Sequence, residues 1–220
     1  MGLMGSVMQV FILTTVSYYR KTPCTFYFII AAIHECGQFI TAFGPLVVAA
    51  YLDIDITRIS VVWCKLRFFF LASFCAIPLT CACLATIDQF LTTSQHVWFR
   101  QWSNIKIAYR ASLAIVIIWW LHGTLWLYYQ DMSSIIGVCI YRSNAFFAYT
   151  IFFICIILCV VHILIMMTFG FLAYRNIRRT TVLLRRHADR QLTIIVFIQI
   201  LLTLIGITPY GIDSAYGLIT

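Results

Sequence analysis

Six long stretches of apolar residues, joined by short polar segments, make up most of this chain of 220 residues. A helix needs about 20 apolar residues to cross the hydrocarbon core of a membrane, and most of these stretches reach that length. None shows the sustained alternation of apolar and polar residues that a membrane strand requires. We therefore predict an all-α membrane protein, a single domain over 1–220 with six transmembrane helices, at 3–18, 23–51, 64–91, 107–129, 145–174 and 191–212.

The composition excludes several other classes of protein. Apolar residues make up 63% of the chain and charged residues 10%, against roughly half and a quarter in soluble domains. The net charge of +8 does not indicate a nucleic-acid interface, because the basic residues lie between membrane-length segments rather than among solvated aromatic residues. Phosphate-binding loops, zinc-hydrolase motifs and serine-nucleophile motifs are absent from the sequence, so we predict neither an enzyme activity nor a cofactor.

The distribution of Lys and Arg predicts the orientation of the chain, since these residues accumulate in cytoplasmic connections. The first, third and fifth connections, with their flanking turns, hold eleven of the 15 Lys and Arg, and the second and fourth hold the other four. We therefore expect a multi-pass plasma-membrane protein whose first residue is extracellular and whose basic connections are cytoplasmic. The basic segment from Arg175 to Arg190 is compatible with a solvated face and with docking of a cytoplasmic partner.

Glu35 is the one carboxylate deep inside an apolar stretch. A charged carboxylate at the centre of a membrane costs about 3 kcal/mol on insertion scales, so Glu35 is expected to face other helices. Two interpretations stay open. Glu35 is either a cation or proton site, or a protonated side chain in a structural hydrogen bond with His34 or Gln38.

Two cysteines lie on the side of the membrane that is expected to be oxidising. Cys64 begins the third apolar stretch, and Cys139 belongs to the following outer connection. A disulfide between them would hold that connection over the helices, whereas two free thiols are the alternative. Most of the other cysteines lie inside apolar stretches, where a thiol behaves as a small apolar side chain.

The spacing of several motifs resembles that of rhodopsin-like G-protein-coupled receptors. Within that family, the sequence resembles divergent invertebrate peptide or chemosensory receptors more than amine receptors. Cys64 stands at the top of a third helix, and an Asp-x-aromatic triplet follows 24 residues later. The other matching features are Glu35 twelve residues after Pro23, Trp119-Trp120 in the fourth helix, Cys139 in the next outer connection, and Pro209-Tyr210 in the sixth helix.

The resemblance implies a receptor that transmits an extracellular signal to a cytoplasmic heterotrimeric G protein. The implied ligand is a peptide or an apolar small molecule, bound near Leu71, Ala72, Cys75 and Tyr210. Pro78 and Pro209 would be helix kinks, and Glu35 would lie at a sodium site. The implied G-protein-coupling residues are Asp88, Gln89, Phe90, Arg178, Arg179 and Asp189.

The sequence also departs from the family pattern. Gln89 stands where the family has the Arg of its Asp-Arg-Tyr triplet, and the chain ends before a seventh helix. These departures favour an alternative, a truncated, non-signalling receptor-like membrane protein or a gene-model fragment. A small transporter in which His34 and Glu35 relay protons is a further alternative, although inverted repeats are not visible.

Overall fold

The structure, a computed structural model, describes residues 3–15, 22–52, 60–133 and 139–179, together with Ile198 and Ile205. About 90% of it is helical. The elements in chain order are α1 (Leu3–Thr15), α2 (Pro23–Leu52), α3 (Val61–Thr93), α4 (Val97–Trp102), α5 (Ile105–Tyr129), β1 (Gln130–Met132), β2 (Cys139–Tyr141), α6 (Asn144–Phe152), a π-helix (Phe153–Val161) and α7 (His162–Arg179).

Within the described residues, four helical segments are long and apolar enough to cross a membrane, namely Pro23–Ala42, Val61–Thr93, Ile105–Tyr129 and Asn144–Ile177. The first 13 residues of the stretch at 3–18 form the shorter apolar helix α1, Leu3–Thr15. Apart from Ile198 and Ile205, the stretch predicted at 191–212 lies outside the described residues. Large apolar side chains on the outside of the bundle support a lipid environment. On α5, for example, Ile118 is 58% exposed and Leu121 is 65% exposed, and water would make that exposure unfavourable.

Helix α3 is the centre of the bundle, because it packs against α2, α5 and α7 and also contacts β1. Small side chains permit this close packing. Ala76, Cys81 and Ala85 on α3 are fully buried. The start of α3 is defined by Ser60, whose side chain accepts a hydrogen bond from the backbone N–H of Trp63.

Two of the short polar connections contain short elements of regular structure, and the strands in the second depart from the all-α prediction. The connection at 92–106 includes the six-residue helix α4, and the connection at 130–144 includes the antiparallel pair β1–β2. The strands were missed because three-residue strands are too short to show alternation. They form where the chain turns back after α5, with Gln130 opposite Tyr141 and Met132 opposite Cys139.

The helix expected at 145–174 contains an unexpected π-helical segment of nine residues, Phe153–Val161. Proline cannot be its cause, since the chain has none between Ala145 and Arg175. A π-helix repeats its backbone hydrogen bonds five residues apart, so it widens the helix and changes which side chains face the neighbouring helices. His162, the first residue after the segment, is brought to the buried side of α7.

Candidate functional site

A disulfide holds the β1–β2 hairpin against α3. Cys64 and Cys139 lie at bonding distance, with their Cα atoms 5.9 Å apart, and Cys64 is fully buried. The pairing predicted from the sequence therefore agrees with the structure. We call this the hairpin end of the bundle. The end of α3 that carries Asp88 is called the Asp88 end.

A cavity of about 470 Å³ lies at the hairpin end. Leu71, Ala72 and Cys75, three of the four residues predicted to bind a ligand, line it from α3, and Tyr210 lies outside the described residues. The volume falls within the roughly 300–1,000 Å³ typical of small-molecule sites. The cavity is therefore the candidate ligand site of this chain.

The other walls of the cavity were not predicted from the sequence. Apolar side chains from three elements form most of them, namely Phe68 of α3, Trp126 of α5, and Phe153, Ile154 and Leu158 of the π-helix. Trp126 and Phe153 are 3% and 4% exposed, and their ring centroids lie 5.6 Å apart. Only their position around the cavity distinguishes these residues from ordinary core residues, and that position depends on the tertiary packing.

Three polar residues complete the described lining of the cavity, Gln38 on α2, Tyr141 on β2 and Thr150 on α6. The hydroxyl of Thr150 donates a hydrogen bond to the carbonyl oxygen of Phe146 at 2.9 Å. Burial raises the pKa of the Tyr141 hydroxyl, and the Gln130 side chain partly offsets that effect. Tyr141 is therefore protonated at neutral pH and offers the cavity a neutral hydroxyl.

A chain of hydrogen bonds below the cavity connects α5, α3 and the end of the π-helix. The indole Nε1 of Trp119 donates to Thr80 Oγ1 at 2.9 Å, and Thr80 Oγ1 lies 3.2 Å from His162 Nε2. His162 Nδ1 lies 2.6 Å from the carbonyl oxygen of Ile157. Because a carbonyl oxygen only accepts, we place the proton of a neutral His162 on Nδ1, so that Nε2 is an acceptor. The single hydroxyl hydrogen of Thr80 then has two acceptors within reach, His162 Nε2 at 3.2 Å and the carbonyl oxygen of Ala76 at 2.8 Å.

Replacement of Thr80 by Val is expected to lower the stability of the folded bundle by about 1–2 kcal/mol. The variant keeps the shape of the side chain but removes the partner of both Trp119 and His162, and interhelical hydrogen bonds in membranes contribute about 0.6 kcal/mol each, up to about 1.7. The measurement is the unfolding midpoint of the purified protein in detergent.

Thr168→Val is the matched control, because the exposed Thr168 hydroxyl donates to the carbonyl oxygen of Leu164 in its own helix and, among the described residues, to no neighbouring helix. A double-mutant cycle of Thr80→Val with Trp119→Phe should show coupling. Strictly additive effects would contradict a shared hydrogen-bond chain.

Glu35 pairs with a residue of another helix. The hydroxyl of Ser6 on α1 donates to Glu35 Oε2 at 3.0 Å, and Ser6 is fully buried. The partners considered from the sequence are engaged elsewhere, since His34 Nδ1 bonds to the carbonyl oxygen of Ile30 and Gln38 lines the cavity. A sodium ion at Glu35 stays a prediction. In the part of the chain that the structure describes, no three His, Cys, Asp or Glu side chains group as metal ligands.

At the Asp88 end, a buried carboxylate ties three segments together. Asp88 is 5% exposed, and its Oδ1 accepts a hydrogen bond from the Ser103 hydroxyl at 2.6 Å. The backbone N–H of Cys24, in the first turn of α2, also interacts with this carboxylate. A negative charge at the amino end of a helix is favourable, because it interacts with the helix dipole and with unpaired N–H groups.

The other residues predicted to couple to a G protein differ in their surroundings. Gln89 is 4% exposed and interacts with the thiol of Cys24. Phe90 packs between Phe99 and Phe169, with ring centroids 5.9 and 5.6 Å away. Arg178 and Arg179 belong to the last turn of α7, and Asp189 lies outside the described residues. Their role in coupling stays a prediction.

Of the two prolines predicted to kink helices, Pro78 and Pro209, only Pro78 lies among the described residues. Pro78 lies inside α3 and is buried, and α3 continues through it to Thr93. Because proline removes one backbone hydrogen bond, Pro78 is a position where the helix is weakened. Pro209 lies outside the described residues.

The fold and the cavity define a helical, apolar protein with a disulfide-tethered hairpin over a small-molecule-sized cavity and with several helices that could span a membrane. A comparison with known protein families finds no family that matches this chain. Curated protein sequences provide no significant match either.

Proposed function

We propose that this chain is a plasma-membrane receptor of the rhodopsin-like type, which binds an extracellular ligand at the hairpin end and acts on a heterotrimeric G protein at the Asp88 end. The observation that carries the proposal is the cavity, because it lies where the resemblance implies a ligand site and is lined by Leu71, Ala72 and Cys75 of α3. The disulfide-held hairpin at the same end gives further support.

Helix α3 provides a physical connection between the two ends. Its first half lines the cavity, Thr80 joins α5 to the end of the π-helix, and Asp88 binds the segments at the other end. A ligand shifts such a bundle only if it binds one packing more tightly than another. The π-helix and Pro78 are positions at which α6–α7 and α3 can repack with little loss of backbone hydrogen bonding.

A receptor-like membrane protein that does not activate G proteins is the second candidate, and Gln89 favours it. In the family pattern an Arg at this position contacts the G protein in the active state. A buried amide next to Asp88 lacks that charge.

The Gln89→Arg variant is expected to show greater ligand-dependent nucleotide exchange on a G protein than the original chain, by several-fold or more. The guanidinium would supply the missing cation, and Asp88 beside it would hold that cation in the resting packing. The measurement is the GTP-analogue binding rate of purified heterotrimers on vesicles that contain the full chain, screened against neutral small molecules and short peptides.

Gln101→Arg is the matched control, because Gln101 is an exposed residue of α4 near the same end and the substitution adds the same charge. If Gln89→Arg stimulates nucleotide exchange on the G protein and the original chain does not, the result would support the second candidate, a receptor-like protein that does not activate G proteins. If the original chain already couples as strongly as Gln89→Arg, the argument from the missing cation is wrong. If no form of the chain couples, the receptor proposal fails.

A further inference from the structure

We infer that the cavity at the hairpin end takes an uncharged, largely apolar small molecule with one or two hydrogen-bonding groups, rather than an amine, an acid or a peptide. This inference rests on the proposed function only in treating the cavity as a ligand site. It does not require that the ligand lead to G-protein activation.

The described lining of the cavity has no charged side chain, which indicates an uncharged ligand. None of the described residues that line the cavity is Asp, Glu, Lys, Arg or His, and Tyr141 is neutral at physiological pH. Glu35 is directed to Ser6 of α1 and is not part of the lining. A charged ligand would lose its hydration without meeting an opposite charge, which is strongly unfavourable in an apolar environment.

The small number of polar groups in the described lining argues against a peptide. Each peptide residue brings a backbone N–H and a carbonyl oxygen, and buried backbone groups need hydrogen-bond partners. The described lining offers the side chains of Gln38, Tyr141 and Thr150, and the Thr150 hydrogen is already donated to Phe146. Two or three polar groups match one alcohol, carbonyl or amide group of a small ligand, but not the backbone of several residues.

The apolar lining specifies the rest of the ligand. Phe68, Trp126 and Phe153 present aromatic rings, and Leu71, Ile154 and Leu158 add aliphatic surface. Flat aromatic and aliphatic groups pack well against such rings. A ring system with a single polar substituent is therefore the chemistry that this cavity fits best.

Cys75 allows a test in the natural chain, because its free thiol lines the cavity. The thiolate of a cysteine attacks the sulfenyl sulfur of a methanethiosulfonate reagent. A mixed disulfide forms, the bond between the two reagent sulfurs breaks, and methanesulfinate leaves. We expect an uncharged benzyl reagent to modify Cys75 at least tenfold faster than trimethylammonium-ethyl and sulfonato-ethyl reagents. The full chain in lipid vesicles is used, and mass spectrometry identifies the modified residue. Cys81 and Cys83 are internal controls, since both are buried outside the described cavity lining.

A matched series of probes then tests the ligand class directly. 2-Naphthylmethanol, 2-naphthylmethylammonium and 2-naphthoate share one ring system and differ in charge. The alcohol is expected to protect Cys75 from the benzyl reagent at a concentration at least tenfold lower than either ion. Ala72→Phe, which fills the cavity, should abolish protection, whereas Ala114→Phe on the exposed side of α5 should leave it unchanged.

The outcomes separate this inference from the proposed function. Protection by the alcohol without any nucleotide exchange would support the inference and count against the receptor. Stronger protection by either ion, equal modification by charged and uncharged reagents, or no modification of Cys75 by any reagent would overturn the inference. Modification of Cys81 and Cys83 would reveal that Ala72→Phe fails to fold. In that case, the probe series on the natural chain still tests which ligand class the cavity binds.

Discussion

Cells that express Cys64→Ala are expected to display several-fold less protein at their surface than cells that express the original chain. The disulfide closes a loop between residues that are 75 positions apart. In the chain-entropy model, a loop of that length contributes about 4 kcal/mol to the free energy of unfolding. Loss of the disulfide also frees the hairpin that carries Tyr141 to the cavity, so ligand binding should weaken together with display.

Surface labelling and the unfolding midpoint in detergent, with and without reductant, measure the effect. Cys139→Ala should match Cys64→Ala, and the double variant should be no worse than either alone. Cys36→Ala is the control, since Cys36 is a free, half-buried thiol. Peptide mapping that finds both thiols free in folded, non-reduced protein would contradict the prediction.

Gly123→Val is the substitution expected to disturb helix packing most. A Cβ atom at Gly123 would overlap Ser73 Oγ and would lie 3.1 Å from the ring of Phe69. The backbone of α5 can approach α3 closely only because this position has no side chain. Added volume at a packed crossing costs about 1–3 kcal/mol, and the branched Val side chain should reach the upper part of that range.

Gly44→Val is the matched control, because a Cβ at Gly44 meets no atom within 4 Å. Both substitutions place Val inside a helix, but Val at position 44 would directly precede Pro45, which disfavours the helical conformation of the preceding residue. That local cost lowers the stability of the control, so a larger loss for Gly123→Val still reports on packing at the α3–α5 crossing. Combining Gly123→Ala with Ser73→Ala, which removes the overlapping oxygen, should recover much of the loss caused by Gly123→Ala alone. Equal unfolding midpoints for Gly123→Val and the original chain would show that the α3–α5 crossing tolerates the added volume.

The sequence alone predicted the features that depend on local properties of the chain. Length and hydropathy are such properties, so the stretches at 23–51, 64–91 and 107–129 correspond closely to Pro23–Leu52, Val61–Thr93 and Ile105–Tyr129. The disulfide could be predicted because Cys64 and Cys139 were assigned to the same side of the membrane. Leu71 and Cys75 could be placed together because residues four apart share one face of a helix.

The tertiary structure decided which residues meet across helices. Ser6 rather than His34 or Gln38 pairs with Glu35, and Ser103 pairs with Asp88 from 15 residues away. His162 reaches Thr80 where the π-helix ends, and no sequence pattern predicted that segment. Such partners depend on the rotation and separation of whole helices, which many small packing contacts set together. A carboxylate or imidazole inside an apolar stretch therefore indicates that a polar partner is needed, and only the packing of the helices determines which residue provides it.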